Sequence, residues 1–390
     1  MSRGVVALVS AVIALAVGLW LGGHPADLPG PVRDTFVQED RALRAEIIDS
    51  IDDNFYKPVN NGKLEDASLK GIVESLDDPY SSYLTAKEAR QFDEDVSGHF
   101  EGVGMNVEQD RRGLKVLRVF DGSPAQDAHI QSGDLILAVD GRPIAGVNSE
   151  VSTNRIKGPA GTTVVLRVFT PGESSDRTVK VKRERIEVPL TRSRLVEKDG
   201  HKIGVVELMA FSDGAHQLVS RDIKRLRDRG AEAIVLDLRG NPGGLLLEGV
   251  AVSSLFIEKG PIVSVRGRHR AERTHDAVGD AILPESVPVA VLVDGGSASA
   301  SEIVTGALRD RHRATVVGTH TFGKGLVQEV ERLSNGGELK LTTAHYYLPD
   351  GETIITRKGI KPQVRAKDNP DTPRDEALPV ALDTVASKLR

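Results

Sequence analysis

A layered α/β core, interrupted by a compact β-rich domain and preceded by helices, is the fold this sequence predicts. Three observations predict it. Strands alternate with amphipathic helices over residues 185–369, short β-type runs parted by glycine turns fill 97–184, and a charged helical pattern occupies 33–96. The 390 residues exceed one ordinary domain. With 39% hydrophobic and 27% charged residues, the chain has the balance of a folded, water-soluble body, not of a disordered, collagen-like or polytopic membrane chain. Aromatic residues make up only 4%, so the cores rest on Val, Leu, Ile and Ala. Fifty-one Lys and Arg against 56 Asp and Glu leave a net charge of -5, and no global basic field is available to hold nucleic acid. The absence of cysteine removes disulfide scaffolds, zinc-thiolate sites, iron-sulfur clusters and cysteine nucleophiles.

Taken from the amino end, the chain carries no charge from Gly4 to Gly23. About 20 apolar residues are enough to cross a bilayer as a helix. Trp20 falls where an interfacial aromatic sits, Arg3 supplies a basic flank, and Pro25 stops the run. Two readings of residues 1–23 stand, an uncleaved signal-anchor and a cleaved signal peptide. The length of the run and the poor cleavage site His24-Pro25-Ala26 favour the anchor. Either one sends the remainder out of the cytoplasm, and the first holds it to the cytoplasmic membrane. From Arg33 the helical pattern begins: Val37, Leu43, Ile47, Ile48, Ile51 and Phe55 form one apolar stripe. The habit repeats from Lys63 to Leu76, Asp77-Asp78-Pro79 breaks it, and Thr85 is placed to cap a helix starting near Ala86.

The next segment holds the runs GVGMNVEQ, LKVLRVF, DLILAVDG and TTVVLRVF, with a short helix near Val151 to Ile156. Gly102-Val103-Gly104-Met105, Gly122-Ser123-Pro124-Ala125, GDLILAVDG and IKGPAGTTVVLRV, in that order, resemble a PDZ domain over 97–184. The resemblance implies that the loop Gly102, Val103, Gly104, Met105 receives a peptide carboxylate on backbone N–H groups, while the adjoining strand edge accepts the peptide as an added strand. Glycine suits such a loop because a side chain would obstruct close approach.

Beyond residue 185 the β and α runs alternate. KIGVVELMAF, AEAIVLDLRG and PVAVLVDGG read as strands, and each is followed by a helical run. The apolar strands AIVLDL and VAVLV call for cover on both faces. Residues 370–390 end in DEALPVALDTVASKL, whose apolar spacing suits a docking helix that Pro379 interrupts.

Three clusters carry chemistry. Ser297, Ser299 and Ser301 lie between a strand ending in Gly295-Gly296 and a helix, a turn that exposes a hydroxyl and leaves the first-turn N–H groups open for an oxyanion. Spacing alone favours a plain helix cap, with Glu302 completing a box from Ser299, but a cap does not account for the preceding glycine pair. Asp237-Leu238-Arg239-Gly240-Asn241-Pro242-Gly243-Gly244 is a glycine-rich strand-to-helix loop whose amides suit an anion or oxyanion, or a tight connection only. In Thr321-Phe322-Gly323-Lys324-Gly325-Leu326-Val327-Gln328 the lysine is an ordinary surface residue or, if desolvated, a general base. A phosphate loop over Gly318 to Lys324 is rejected, since Gly325 stands where Ser or Thr must bind magnesium and a strand follows.

Together with LDDPYSSYL and the PDZ segment, DLRGNPGG, SASASE and TFGKGLVQ resemble the carboxyl-terminal processing peptidases, the PDZ-containing Ser-Lys proteases, over most of residues 70–365. The resemblance implies a ClpP/crotonase-like layered α/β peptidase core with the PDZ domain inserted. It further implies Ser299 as nucleophile, Lys324 as general base, Gln328 orienting the lysine amine, and the N–H groups of Gly244 and Ala300 as oxyanion donors. LPDGETIITRKGIKP matches as well, with Gln363 where the family usually has an acidic residue. The activity implied is a serine endopeptidase that cuts proteins near their C-terminal ends, with the PDZ domain selecting substrates and gating the site. No metal or organic cofactor is required. The partners implied are proteins with exposed, apolar C-terminal tails, with an adaptor protein and a homodimer left open. Three alternatives remain: a Ser-His-Asp triad using His320 or His345, a non-catalytic PDZ peptide-binding scaffold, and a relative of the same layered fold that binds acyl or lipid ligands.

Overall fold

The computed structural model describes residues 39–353, 359–368 and 375–389. The uncharged run from Gly4 to Gly23 lies outside them, and among the described residues no helix is long and apolar enough to cross a membrane. The chain divides into two compact units, residues 1–85 and 86–390. In the first, α1 (Glu39–Asn54) and α2 (Asn61–Glu74) form a pair, followed by the short strand β1 (Ser82–Leu84). The start of α2 is set by Asn60, whose extended backbone lets Oδ1 accept the N–H of Lys63 at 3.2 Å. Tyr83 donates its hydroxyl to Asp66 at 2.9 Å and ties β1 to α2. Leu43, Ile47 and Ile72 stay exposed along an apolar groove of about 560 Å³.

The second unit opens with α3 (Ala86–Ser97) and β2 (His99–Gly102), then continues through β3 (Met105–Asp110), β4 (Gly113–Val119), α4 (Pro124–Asp127), β5 (Leu135–Val139), β6 (Arg142–Pro143), α5 (Ser149–Ile156), β7 (Thr163–Phe169), β8 (Arg177–Lys182) and β9 (Glu184–Glu187). The antiparallel sheet runs β3-β4-β5-β7-β8, so β3 is an edge strand, and β2 pairs with β9 as a ribbon where the chain enters and leaves. Strand alternation puts Leu114, Val116, Ile136, Val164, Leu166 and Val168 inside one apolar cluster, the PDZ-like core.

The remaining elements are β10 (Thr191–Lys198), β11 (His201–Leu208), α6 (Ala215–Asp228), β12 (Ala233–Asp237), α7 (Leu246–Ser254), β13 (Pro261–Gly267), β14 (Arg270–Asp276), β15 (Val289–Val293), α8 (Ala300–Asp310), β16 (Thr315–Gly318), β17 (Leu326–Arg332), β18 (Glu338–Tyr347), β19 (Val364–Arg365) and α9 (Ala377–Ala386). The main sheet has the order β10-β11-β12-β15-β16-β19, with β10 antiparallel and the rest parallel. Alternation divides its side chains between two cores. Val206, Leu208, Ile234, Leu236, Val291 and Val293 meet α6, α7 and α8, whereas Val205, Val235, Ala290, Leu292 and Val317 meet α9. A second, antiparallel arrangement pairs β17 with β18, β18 with β13 and β13 with β14.

Pro379 does not interrupt the last helix, contrary to the expectation from sequence. It is the third residue of α9, inside the first turn, where a backbone N–H has no intrahelical acceptor to lose. The apolar face of that helix is occupied by the chain's own sheet. Strands β12, β15 and β16 are neighbours, and their carboxyl ends launch the loops 238–245, 294–299 and 319–325, the three clusters singled out above. Loops at the carboxyl ends of adjacent parallel strands share one edge of the sheet, which is where open α/β sheets hold their ligands.

Candidate active site

The loop after β15 turns sharply. Asp294 Oδ1 accepts the N–H groups of Gly296 at 2.9 Å and Gly240 at 2.8 Å, so it fastens this loop to the one after β12. The three serines then part ways. Ser297 Oγ donates to the carbonyl of Leu238 at 2.7 Å, and Ser301 Oγ donates to the carbonyl of Asn241 at 2.9 Å. Both hydroxyls are stitches between loops. Ser299 lies between them, buried, with φ 55° and ψ −114°, a conformation that costs an L-residue of order 1–3 kcal/mol and survives only where its surroundings enforce it. Its side chain lies beside the buried Tyr346.

Asn241 holds the glycine loop from within. It is fully buried, its Nδ2 donates to the carbonyl of Leu208 at 2.8 Å, and its Oδ1 accepts the N–H of Gly243 at 2.9 Å. Its carbonyl accepts the N–H of Ala298 at 3.0 Å as well as the Ser301 hydroxyl. Gly243 and Gly244 have φ of 97° and 145°. A Cβ on Gly243 would lie 2.6 Å from the Ala298 carbonyl oxygen and 2.9 Å from the Ala300 nitrogen, and one on Gly244 would lie 2.4 Å from the Phe211 oxygen. Only glycine fits, and its absence of a side chain brings the loop's backbone against the turn that carries Ser299. Among the described residues the N–H groups of Gly244 and Ala300 have no acceptor within the protein.

Glu302 joins the third loop. It is wholly buried on the first turn of α8, where Oε2 accepts the N–H of Ser299 at 3.0 Å and of Lys324 at 2.8 Å. Oε1 accepts the Thr321 hydroxyl at 2.5 Å and the N–H of Gly323 at 2.7 Å. Burial pushes this carboxyl above its usual range, against the pull of the four donors. The main chains of Ser299 and Lys324 therefore share one carboxylate. Gln328, beside a bulge in β17, donates Nε2 to Thr342 Oγ1 at 3.4 Å.

Sequence reasoning had Glu302 as a capping residue and did not single out Asn241 or Tyr346. A capping box reads three positions along the chain. Nothing local reveals that the same acid accepts from residues about 20 positions on. His320 is exposed, and His345 alternates with Tyr346 along β18, so its side chain leaves the opposite face from the one that meets Ser299. Among the described residues no group of three His, Asp or Glu is arranged to hold a metal ion.

Arg239 binds Asp237 at 2.7 Å, Asp368 at 2.8 Å and Asp375 at 3.0 Å, connecting the glycine loop to the C-terminal segment. Burial works against its charge, yet the Asp237 and Asp375 carboxylates hold its ionisation above the ordinary range. In the PDZ-like domain, the Val103 carbonyl accepts Ala125 N–H at 2.8 Å and the Gly104 carbonyl accepts Phe120 N–H at 3.0 Å. A Cβ on Gly104, at φ 81°, would lie 2.3 Å from Ser123 Cβ. Gly102 closes β2 and Met105 opens the edge strand β3, so the four residues form the turn between those strands. A cleft of about 1110 Å³ begins beside Val107 of β3 and Thr153 of α5, passes Lys157, and reaches Asp213 and Leu245, the residue after Gly244.

Residues 202–366 match the model of peptidase family S41, residues 91–168 the PDZ domain model, and residues 41–88 the model of the activating protease CtpB N-terminal domain. The chain is 35% identical over 363 residues to the carboxy-terminal processing protease CtpA of Bacillus subtilis (strain 168), covering 93% of this chain and 76% of that one. It is 39% identical over 308 residues to the carboxy-terminal-processing protease of Bartonella bacilliformis, covering 77% and 69%. The solved photosystem II D1 C-terminal processing protease superposes with a TM-score of 0.50 at 26% identity, covering 90% of this chain and 98% of that one.

Proposed function

Because this chain belongs to the carboxy-terminal processing serine proteases of peptidase family S41, we propose that Ser299 is its nucleophile, Lys324 its general base, and the N–H groups of Gly244 and Ala300 its oxyanion donors. The neutral amine of Lys324 takes the Ser299 proton as Oγ attacks the peptide carbonyl. The tetrahedral oxyanion rests on the two backbone donors, each worth roughly 2.7–4 kcal/mol in such sites. The lysine ammonium then protonates the leaving amine. Water hydrolyses the acyl-enzyme by the reverse proton path, and Gln328 orients the lysine. The observation that carries this reading is that, among the described residues, the N–H groups of Gly244 and Ala300 have no protein acceptor, in the two loops packed together at a strained, buried serine.

Gly102, Val103, Gly104 and Met105 receive the substrate's free carboxylate, and the tail adds to the edge of β3. The cleft from β3 and α5 to Leu245 supports a path from that groove to the scissile bond. Substrates are proteins with exposed, apolar tails. The working division is a PDZ domain at 97–184, a peptidase core at 185–369 and a C-terminal segment at 370–390. Residues 4–23 anchor the chain on the outer side of the cytoplasmic membrane, and the exposed stripe of α1 and α2 makes a homodimer contact.

The test uses a protein ending in a disordered apolar tail. Ser299→Ala and Lys324→Ala each abolish shortening of that tail while the PDZ domain still binds its peptide, and a serine-directed acyl probe labels Ser299. Turnover surviving in either variant sinks the assignment. Binding without cleavage by the unaltered chain would leave a scaffold.

A further inference from the structure

The buried carboxylate of Glu248 has no part in the reaction described so far. It stands in the first turn of α7, just past Gly244, and binds the opposite segment, between β11 and α6. Oε1 accepts the Gly214 N–H at 3.1 Å, and Oε2 accepts the His216 N–H at 2.9 Å and meets His216 Nδ1 at 2.9 Å. A carboxylate only accepts, so Nδ1 carries the proton and donates. Gly214 gives α6 no side chain to cap its first turn, and the acid of α7 does so in its place. Asn241 fastens the other end of the same segment, at the Leu208 carbonyl. Residues 208–216 are thus clasped twice by the stretch 241–248.

Between the two clasps lies Phe211, whose backbone grips the glycine loop. Its N–H donates to the Gly243 carbonyl at 3.0 Å, and its carbonyl accepts the Leu245 N–H at 2.8 Å. The N–H of Gly243 is taken by Asn241 Oδ1. In a trans peptide the C=O and N–H point opposite ways. A Gly243 carbonyl turned to Phe211 therefore sends the Gly244 N–H outward, away from Phe211. Glycine on both sides offers this peptide little steric resistance to turning over, so its direction depends on Phe211.

We propose that Glu248 is a positioning residue for the reaction, with His216 as its second anchor. It holds the segment 211–216 against α7, so that Phe211 keeps the Gly243–Gly244 peptide turned with its N–H toward the substrate carbonyl. The proposal rests on Ser299 and the Gly244 donor acting as assigned above. Glu248 itself touches no reacting atom. Without it the first turn of α6 takes up water, the grip of Phe211 loosens, and the peptide between the two glycines rotates. The oxyanion then loses one of its two donors, while the PDZ groove and the loops of Ser299 and Lys324 stay as they were. Such a donor acts on the charge of the transition state and not on the bound substrate. Its loss is therefore read in kcat and not in KM.

Glu248→Gln keeps the size of the side chain but leaves one acceptor oxygen for the Gly214 and His216 donors and sets an NH₂ against them. In the full chain, kcat on the tailed substrate is expected to fall about 10- to 100-fold with KM within about twofold. A peptide aldehyde, whose tetrahedral adduct with Ser299 carries the oxyanion, should lose affinity by a similar factor, while the PDZ domain binds an apolar C-terminal peptide as before. The infrared band of the acyl carbonyl on Ser299 should move to higher frequency, because one donor fewer polarises it. His216→Ala should act in the same direction by about three- to tenfold. His216→Asn, whose amide can donate from the place of Nδ1, should reverse that loss, and this pair also serves if Glu248→Gln does not fold. A helix cap of purely structural use would lower the melting temperature and leave the aldehyde affinity and the carbonyl band in place. That outcome in the folded variants overturns the role of Glu248. Failure of the aldehyde and the acyl probe to engage Ser299 in the unaltered chain overturns the nucleophile assignment instead.

Discussion

Ser299, Ser301 and Ser297 are chemically alike, and only their partners separate them. Two hydroxyls are committed to the carbonyls of Leu238 and Asn241, whereas the third sits on a strained backbone beside Tyr346. The acid that holds this arrangement is Glu302, which accepts four hydrogen bonds from Ser299, Thr321, Gly323 and Lys324. Glu302→Gln replaces one acceptor oxygen by an NH₂ that faces N–H donors. Each unsatisfied buried group costs about 1–3 kcal/mol. The variant is expected to unfold at lower denaturant by about 2–4 kcal/mol and to lose acyl-probe labelling. Unchanged labelling would show that the carboxylate does not position the loops of Ser299 and Lys324.

At the scale of elements, glycines decide how closely segments approach. Gly104 is such a case: at φ 81°, with Ser123 Cβ in the place a side chain would take, the turn from β2 to β3 keeps its shape only without a Cβ. Gly104→Val is expected to weaken binding of an apolar C-terminal peptide at least tenfold, by strain and clash of about 1–3 kcal/mol. Labelling of Ser299 by a small probe should persist, because the probe does not need the groove. Peptide titration checks the first half, and binding that survives in the valine variant removes this turn from substrate recognition.

Across the whole molecule, the last segment reaches back to the site. Asp368 and Asp375 hold Arg239 at the start of the glycine loop, and α9 covers one face of the main sheet. Burial alone would raise the Asp375 carboxyl, but the hydrogen bond and charge of Arg239 hold it below its usual range. A depressed carboxyl stabilises the fold fully above its unfolded value, about 3.9, and loses that contribution as pH falls through the lower folded value. Asp375→Asn should therefore melt below the unaltered chain at neutral pH, with the gap closing on acidification below about pH 4. A gap that stays constant from neutral to acid would mean that the ion pair contributes nothing.

Periodicity and turn chemistry made the alternating core, the β-rich insert and the helical lead readable, since apolar spacing and glycine position are local properties. The three loops were legible for the same reason: DLRGNPGG, SASAS and TFGKG each carry a composition that a plain connection does not need. Pro379 shows where local reading overreached, because a proline's cost depends on its place within the helix. What residue order could not supply was the separate partners of the three serines, the four donors on Glu302, the place of Tyr346 beside Ser299 and the clamp on Arg239. Each joins residues brought together only when β12, β15, β16 and β18 assemble, and a hydrogen bond depends on distance and direction in space, not on separation along the chain.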